Sequence, residues 1–341
     1  MAIKTRKEFE TWLRAQSQET CVLFVMRAAL RGFPFTAHIS KPSKEQKHLA
    51  LSSVRAILTS GVSAKMPTPK VRAAADAAYA LSAADAVDAV AYAAYPAVYP
   101  VAAGAVACTA TLAAANADTD IRFEDLFQTA LWHQLGEPDW LASALITNSN
   151  LLESGPEWSF WREWYQGFLD GKPMDWKLQR RVALIDDAIW EAGPEKVAEE
   201  IERIRAAFEV ETRAGDLREA AFVAAAPSRG IGDNNPPDSI DDAVKTQDGV
   251  TIIWAAARDL EEEAASDTPN LERVKKAIGA IIGVMKAAGI WAAKKVDKAL
   301  TAFVVTVGAA GGTASVAWLT QNSDKIGELI EAAERWWKLM Q

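Results

Sequence analysis

Cysteine and histidine are scarce in this chain. Among 341 residues there are two cysteines, Cys21 and Cys108. They lie too far apart for a disulfide framework or a metal-ligand pair, and such usage fits a reducing compartment, here the cytoplasm. Of the three histidines, His38, His48 and His133, none stands three or four residues from another in a helical run, and none has a cysteine nearby. Zinc is therefore not expected. His133, beside Trp132 in LWHQLGEPDW, reads as a core or surface histidine rather than a catalytic base.

Several motifs are missing as well. No Gly-x-Ser-x-Gly elbow is present. The glycine stretch RGIGDNNPP at 229–237 lacks the third glycine of a dinucleotide loop, has no preceding strand, and carries no Gly-Lys-Ser/Thr. An EF-hand starting at Asp233 needs glycine and glutamate where Asp238 and Val244 stand, and DTDIRFED at 118–125 places Phe123 at the turning position. What remains is a chain-breaker, because each proline drives its predecessor out of helix. The N-terminus is basic at Lys4, Arg6 and Lys7, but Glu8 and Glu10 follow, and the first apolar run, CVLFVM, is short and starts at Cys21. No cleaved signal peptide is expected.

What the chain has in quantity is alanine and apolar residues. Half of the residues are hydrophobic, and alanine favours helix over strand, so the expected fold class is all-α. The net charge of −8 is unevenly spread. Residues 1–75 carry 13 Lys/Arg and 4 Glu, whereas the other 266 carry 24 Lys/Arg and 41 Asp/Glu. Such a basic front suits an anionic partner, nucleic acid or a lipid surface, or else docks on the acidic middle of the same chain. Without a recognition motif, self-docking is the favoured alternative.

Periodicity divides the chain into a helical N-terminal region at 1–213, a linker at 214–240 and a helical C-terminal domain at 241–341. The N-terminal region comprises the basic segment 1–75, an alanine-rich segment 73–117 and a tryptophan-rich segment 118–213. Phe9, Trp12 and Leu13 share one helical face, and a second helix is predicted from about Ser17 to Arg31, broken by Gly32 and Pro34. Segment 73–117 holds 23 alanines in 45 residues. Pro96, Pro100 and Gly104 interrupt it, so it reads as tight soluble packing that includes Tyr92, Tyr95 and Tyr99. Seven of thirteen tryptophans lie between Trp132 and Trp190. Trp158, Trp161, Trp164 and Phe168 form one face, closed by Gly167 and Gly171. A helix marked by Leu178, Val182, Ile185 and Ile189 follows. EAGPE then breaks the chain, and Pro194 starts a helix marked by Val197, Ile201, Ile204 and Phe208.

RGIGDNNPP, WREWYQGFLDGKPMDW and LIDDAIWEAGPEKV resemble segments of a group of alanine- and tryptophan-rich helical proteins of alphaproteobacteria. The likeness covers about residues 5–240. It implies a bacterial helical protein and brings no activity, cofactor or catalytic residue.

Near the C-terminus, Ala299–Ser323 is a run of 25 residues without a charge. Lys294, Lys295 and Lys298 precede it, and Gly308 and Gly312 make a G-x-x-x-G, as do Gly279 and Gly283 upstream. As a helix, segment 299–320 is long enough to cross a hydrocarbon core of about 30 Å, although its Gly, Ala and Thr content is only weakly apolar. The terminal helix carries an apolar stripe of Ile326, Leu329, Ile330, Ala333, Trp336, Trp337 and Met340, to be buried on protein or at a lipid interface.

The functional expectation is a non-enzymatic interaction protein that reaches the bacterial inner membrane through 299–341, with protein partners or self-association. One alternative is a soluble helical scaffold or a nucleic-acid binder using 1–75. Another is an enzyme with a carboxylate site, for which Asp187 and Glu191, four apart, are the best pair. As such pairs usually form a solvated helix face, no catalytic, cofactor-binding or metal residue is assigned.

Overall fold

In the computed structural model, the residues described are 8, 11–12, 14–36, 43–78, 117–133, 136, 155–225, 239–245, 248–290 and 313–341. They form an all-α protein, with no strand among them. Two compact units divide the chain, Met1–Ile201 and Glu202–Gln341.

In the first unit, α1 (Gln18–Thr36) packs along α2 (Lys44–Lys65). Ser43 and Gln46 form a reciprocal capping box that starts α2. Close approach of the pair is allowed by Gly61, where a Cβ would stand 2.8 Å from the Met26 methyl. A third helix, α3, begins at 69 and is described to 78. Contrary to the sequence expectation, α1 does not stop at Arg31. It runs through Gly32 and Pro34 to Thr36. Proline removes one helical hydrogen bond there, but Phe33 is fully buried against Tyr165, ring centroids 5.4 Å apart, and tertiary packing holds the last turn.

After the one-turn helix α4 (Phe123–Leu126) come α5 (Ser159–Leu169), α6 (Trp176–Ala183) and α7 (Asp187–Glu191). Predicted as one helix, 178–189 is two, because Asp186 turns its carboxylate onto the Ala188 N–H at 2.8 Å and caps α7 anew. The tryptophan face of α5 is the heart of the core. Trp158, Trp161, Trp164 and Phe168 are buried, and edge-on aromatic contacts link Trp161 to Trp164 (5.7 Å), Trp164 to Phe168 (5.3 Å), Phe168 to Trp176 (6.0 Å) and Trp176 to Phe127 (5.2 Å).

The helix α8 (Pro194–Ala225) shows a second departure from expectation. It continues past Arg213 for a further twelve residues, so the first half of the expected linker is helix, and the division between units falls after Ile201. Ala206, Val210, Ala214, Leu217 and Ala221 keep one buried stripe past Arg213, within the second unit. The glycine-proline stretch 229–237 and most of the alanine-rich segment lie outside the described residues.

The second unit contains α9 (Ile240–Lys245), α10 (Gly249–Ala265), α11 (Leu271–Ala287), α12 (Thr313–Gln321) and α13 (Ser323–Leu339). α10 and α11 form the central hairpin, and both are buried on nearly all sides. Asp248 caps α10 and also accepts from Ser315 of α12 at 2.8 Å. Asn270 caps α11, which ends at Gly289 in the left-handed region (φ 71°). Gly279 and Gly283 lie buried within α11, in protein packing.

Among the described residues, no helix is long and apolar enough to cross a membrane. This corrects the transmembrane expectation as far as 299–320 is described, since residues 299–312 lie outside the description. The remainder belongs to α12, nine residues long, or about 14 Å, with Leu319 fully buried and Trp318 packed on the core. The apolar stripe of α13 is buried in the same protein core, with Trp336 and Trp337 at 2% and 5% exposure.

Candidate functional site

The most concentrated polar chemistry of the first unit lies where α1 meets residues 117–133. Arg27 and Arg31, one helical turn apart on α1, face Asp118. Arg27 grips the carboxylate with two bonds, Nε to Oδ2 at 2.8 Å and Nη2 to Oδ1 at 3.0 Å. Its remaining donors reach the carbonyls of Leu126, Thr129 and Ala130 at 2.9, 2.8 and 3.1 Å. Arg31 donates to Asp118 Oδ2 at 2.7 Å and to the Leu131 carbonyl through Nε and Nη2 at 3.0 and 2.7 Å. All three charged side chains are buried.

Burial lowers the Arg31 pKa to about 10 against the opposing pull of Asp118, so the group stays charged at neutral pH. The cluster thus places two guanidinium charges on one carboxylate. Such an arrangement is tolerated in a core only because hydrogen bonds replace the lost water. Its partners explain its role, for the arginines hold four carbonyls of the irregular chain around α4 onto α1. His133 completes the surroundings, with Nδ1 3.8 Å from Asp118 Oδ1. Burial pushes its pKa below the ordinary histidine value, while Asp118 pulls it upward. Neutral imidazole suits a site that already holds excess positive charge.

The same pattern recurs along α2. Lys47 donates to Glu157 at 2.9 Å. Arg55, buried, pairs with Asp187 and lies over the Trp190 ring, 5.0 Å from its centroid. Four cations of the basic front, Arg27, Arg31, Lys47 and Arg55, therefore meet carboxylates from 118–187. Self-docking, the alternative favoured from composition, accounts for them. In the sequence Asp118 reads only as the first residue of a failed calcium loop. Its role was signalled by Arg27 and Arg31, charges four apart between the apolar Met26, Leu30 and Phe33.

Other sequence candidates are scattered. Asp187 and Glu191 sit exposed at the two ends of the five-residue α7, and Asp187 is taken up by Arg55. His48, on α2, borders Gly193. Cys21 is half-buried on α1; His38 and Cys108 lie outside the described residues. Among the described residues no cluster of His, Cys, Asp or Glu is arranged to hold a metal.

A separate feature is a groove of about 530 Å³ between the end of α2, the turn after α5 and the start of α6. Lys65, Lys172 and Lys177 line it, together with Gln128, Asp175 and Trp176. Gly171, at φ 67°, lets the turn pass so close to Ala130 that a Cβ would stand 2.6 Å from its amide nitrogen. No protein-family model matches the chain, and neither a curated protein nor a solved structure is similar to it.

Proposed function

We propose that the chain is a non-enzymatic, cytoplasmic, helical interaction protein of bacteria, offering folded helical surfaces to protein partners or to a second copy of itself. The observation that best supports the reading is the fate of its buried charges. Arg27 and Asp118 commit their hydrogen bonds to one another, to Arg31 and to backbone carbonyls, and Arg31 commits its Nε and Nη2 to Asp118 and the Leu131 carbonyl. General acid–base chemistry instead needs a poised group facing a cleft. Asp187, the better placed of the sequence carboxylates, faces Arg55. For nucleic-acid binding through 1–75, Arg27, Arg31 and Arg55 are not available, since they are buried with internal counterions.

Photo-cross-linking in cells from Val25 and Phe222, large apolar side chains that stand exposed, tests the reading. Discrete protein adducts that excess unlabelled chain competes away are expected. Turnover of an ester, phosphoester or glycoside by the purified protein, abolished by Asp187→Asn or His133→Gln, overturns it.

A second reading adds contact with the inner membrane through 299–341. It rests on the uncharged run from Ala299 to Ser323, and against it stands the burial of the α13 stripe in protein. Retention of the full-length protein in the membrane pellet after an alkaline carbonate wash supports it. Complete release removes it.

A further inference from the structure

We propose that the groove between α2, α5 and α6 binds a small organic ligand carrying two or more phosphate groups and a flat apolar portion, the chemistry of a nucleoside diphosphate. Three lysines line the groove, Lys65 at the end of α2, Lys172 in the turn after α5 and Lys177 in the first turn of α6. None has a carboxylate partner among the described residues, unlike Arg27, Arg31, Lys47 and Arg55, and all three are exposed. The Lys65 ammonium rests instead 4.4 Å from the centroid of the Phe127 ring. The groove contains one carboxylate, Asp175, and it is engaged as the cap of α6, accepting from the Lys177 amide at 2.7 Å. A surplus of positive charge thus marks one concavity on a chain whose net charge is −8.

The walls are built to hold this arrangement. Lys172 donates its amide to the Gly167 carbonyl at 2.7 Å, and Leu131 donates to the Phe168 carbonyl at 3.2 Å, tying the turn to both α5 and the chain beside it. Gln179, fully buried, anchors α6 through the Trp164 indole and the Met174 carbonyl, at 2.8 and 2.7 Å. Met66, Pro173 and Trp176 supply apolar surface beside the lysines. About 530 Å³ falls within the usual range of small-molecule sites, roughly 300–1,000 Å³. One carboxylate would neutralise only one of three ammonium groups, whereas two phosphates match them. The Lys177 amide contributes little, because Asp175 already accepts from it.

Calorimetric titration of the full-length protein with pyrophosphate, ADP and a ten-nucleotide single-stranded DNA tests the proposal. Saturable, salt-sensitive binding of pyrophosphate is expected, with ADP tighter through its base. Each single substitution Lys65→Gln, Lys172→Gln or Lys177→Gln is expected to weaken ADP binding about five-fold, with circular dichroism and thermal unfolding unchanged because the side chains are exposed. Asp175→Asn keeps a competent cap and removes the competing charge, so it is expected to tighten binding. Absence of saturable binding at low salt overturns the proposal, as does binding that none of the four substitutions changes. DNA binding far tighter than ADP, lost on the same lysine substitutions, overturns it in favour of a nucleic-acid strand.

Discussion

Arg27 and Asp118, 91 residues apart in sequence, join through two hydrogen bonds of 2.8 and 3.0 Å in a fully buried pair. The pair also orders the chain around it, since Arg27 reaches three carbonyls of residues 126–130. Asp118→Asn would leave two buried guanidinium groups without their counterion. Removing one partner of such a cluster costs about 3–5 kcal/mol, and urea unfolding of the variant is expected to show a loss of that size. A loss below about 1 kcal/mol, the scale of a surface pair, would mean that the cluster is wetter than its burial indicates.

Gln179 offers a neutral counterpart. Its side-chain oxygen accepts from the Trp164 indole at 2.8 Å, and both residues are fully buried. Gln179→Leu leaves the indole N–H without an acceptor and the Met174 carbonyl without a donor. An unsatisfied buried group costs about 1–3 kcal/mol. Lower unfolding free energy is expected, with a changed near-ultraviolet circular dichroism signal from the tryptophan cluster. Gln179→Glu, which keeps an acceptor, should disturb that tryptophan signal less.

Two glycines are expected to respond in opposite directions to alanine. Gly171 has φ 67°, and its added Cβ would meet backbone atoms of Ala130 and Gln128 at 2.6 and 3.0 Å. The left-handed conformation alone costs an L-residue about 1–2 kcal/mol, and the backbone clash adds to it, so Gly171→Ala should destabilise clearly. Gly215 sits inside α8, and its added Cβ would find its nearest neighbour, the Glu261 carboxylate, at 3.5 Å, an ordinary contact. Gly215→Ala should stabilise by about 1 kcal/mol, the helix-propensity difference. Thermal melts of the two variants beside the parent protein measure both signs.

His133 should make stability depend on pH. Burial holds its native pKa below the ordinary value, with Asp118 opposing. The unfolded chain, at the ordinary value of about 6.5, takes up a proton that the native state refuses. Stability from this residue is therefore present above about pH 6.5, declines as pH falls from there, and levels off below the native pKa. His133→Gln should flatten that part of the profile in urea titrations. An unchanged slope in the variant would assign the dependence to other groups.

The terminal helix gives a packing test. Trp336 is 2% exposed in the core of the second unit. Trp336→Ala is expected to cost about 3–5 kcal/mol, as for other buried aromatic truncations. A lipid-facing tryptophan would instead leave unfolding in water nearly unchanged.

Sequence alone decided the all-helical class, because alanine content and 3.6-residue periodicity act locally, turn by turn. It also marked the tryptophan face of α5, the glycine turn at 171, the proline start at 194 and the apolar stripe of α13, each readable within a few neighbouring residues. Tertiary structure decided where Gly32, Pro34 and Gly215 were tolerated, since buried Phe33 and the continuing stripe Val210, Ala214, Leu217 outweigh local helix-breaking preferences of a few kcal/mol at most. It also decided that 178–189 is two helices and that α13 buries its stripe in protein. The partners of the basic front were decided there too. Composition marks the charge of Arg27 and Arg31, but only the fold carries Asp118 across some 90 residues into a buried site where the three charges must be solved together. The basic groove depends on the fold in the same way, for Lys65 and Lys177 lie more than a hundred positions apart, and a cavity is a property of surfaces that no linear pattern contains.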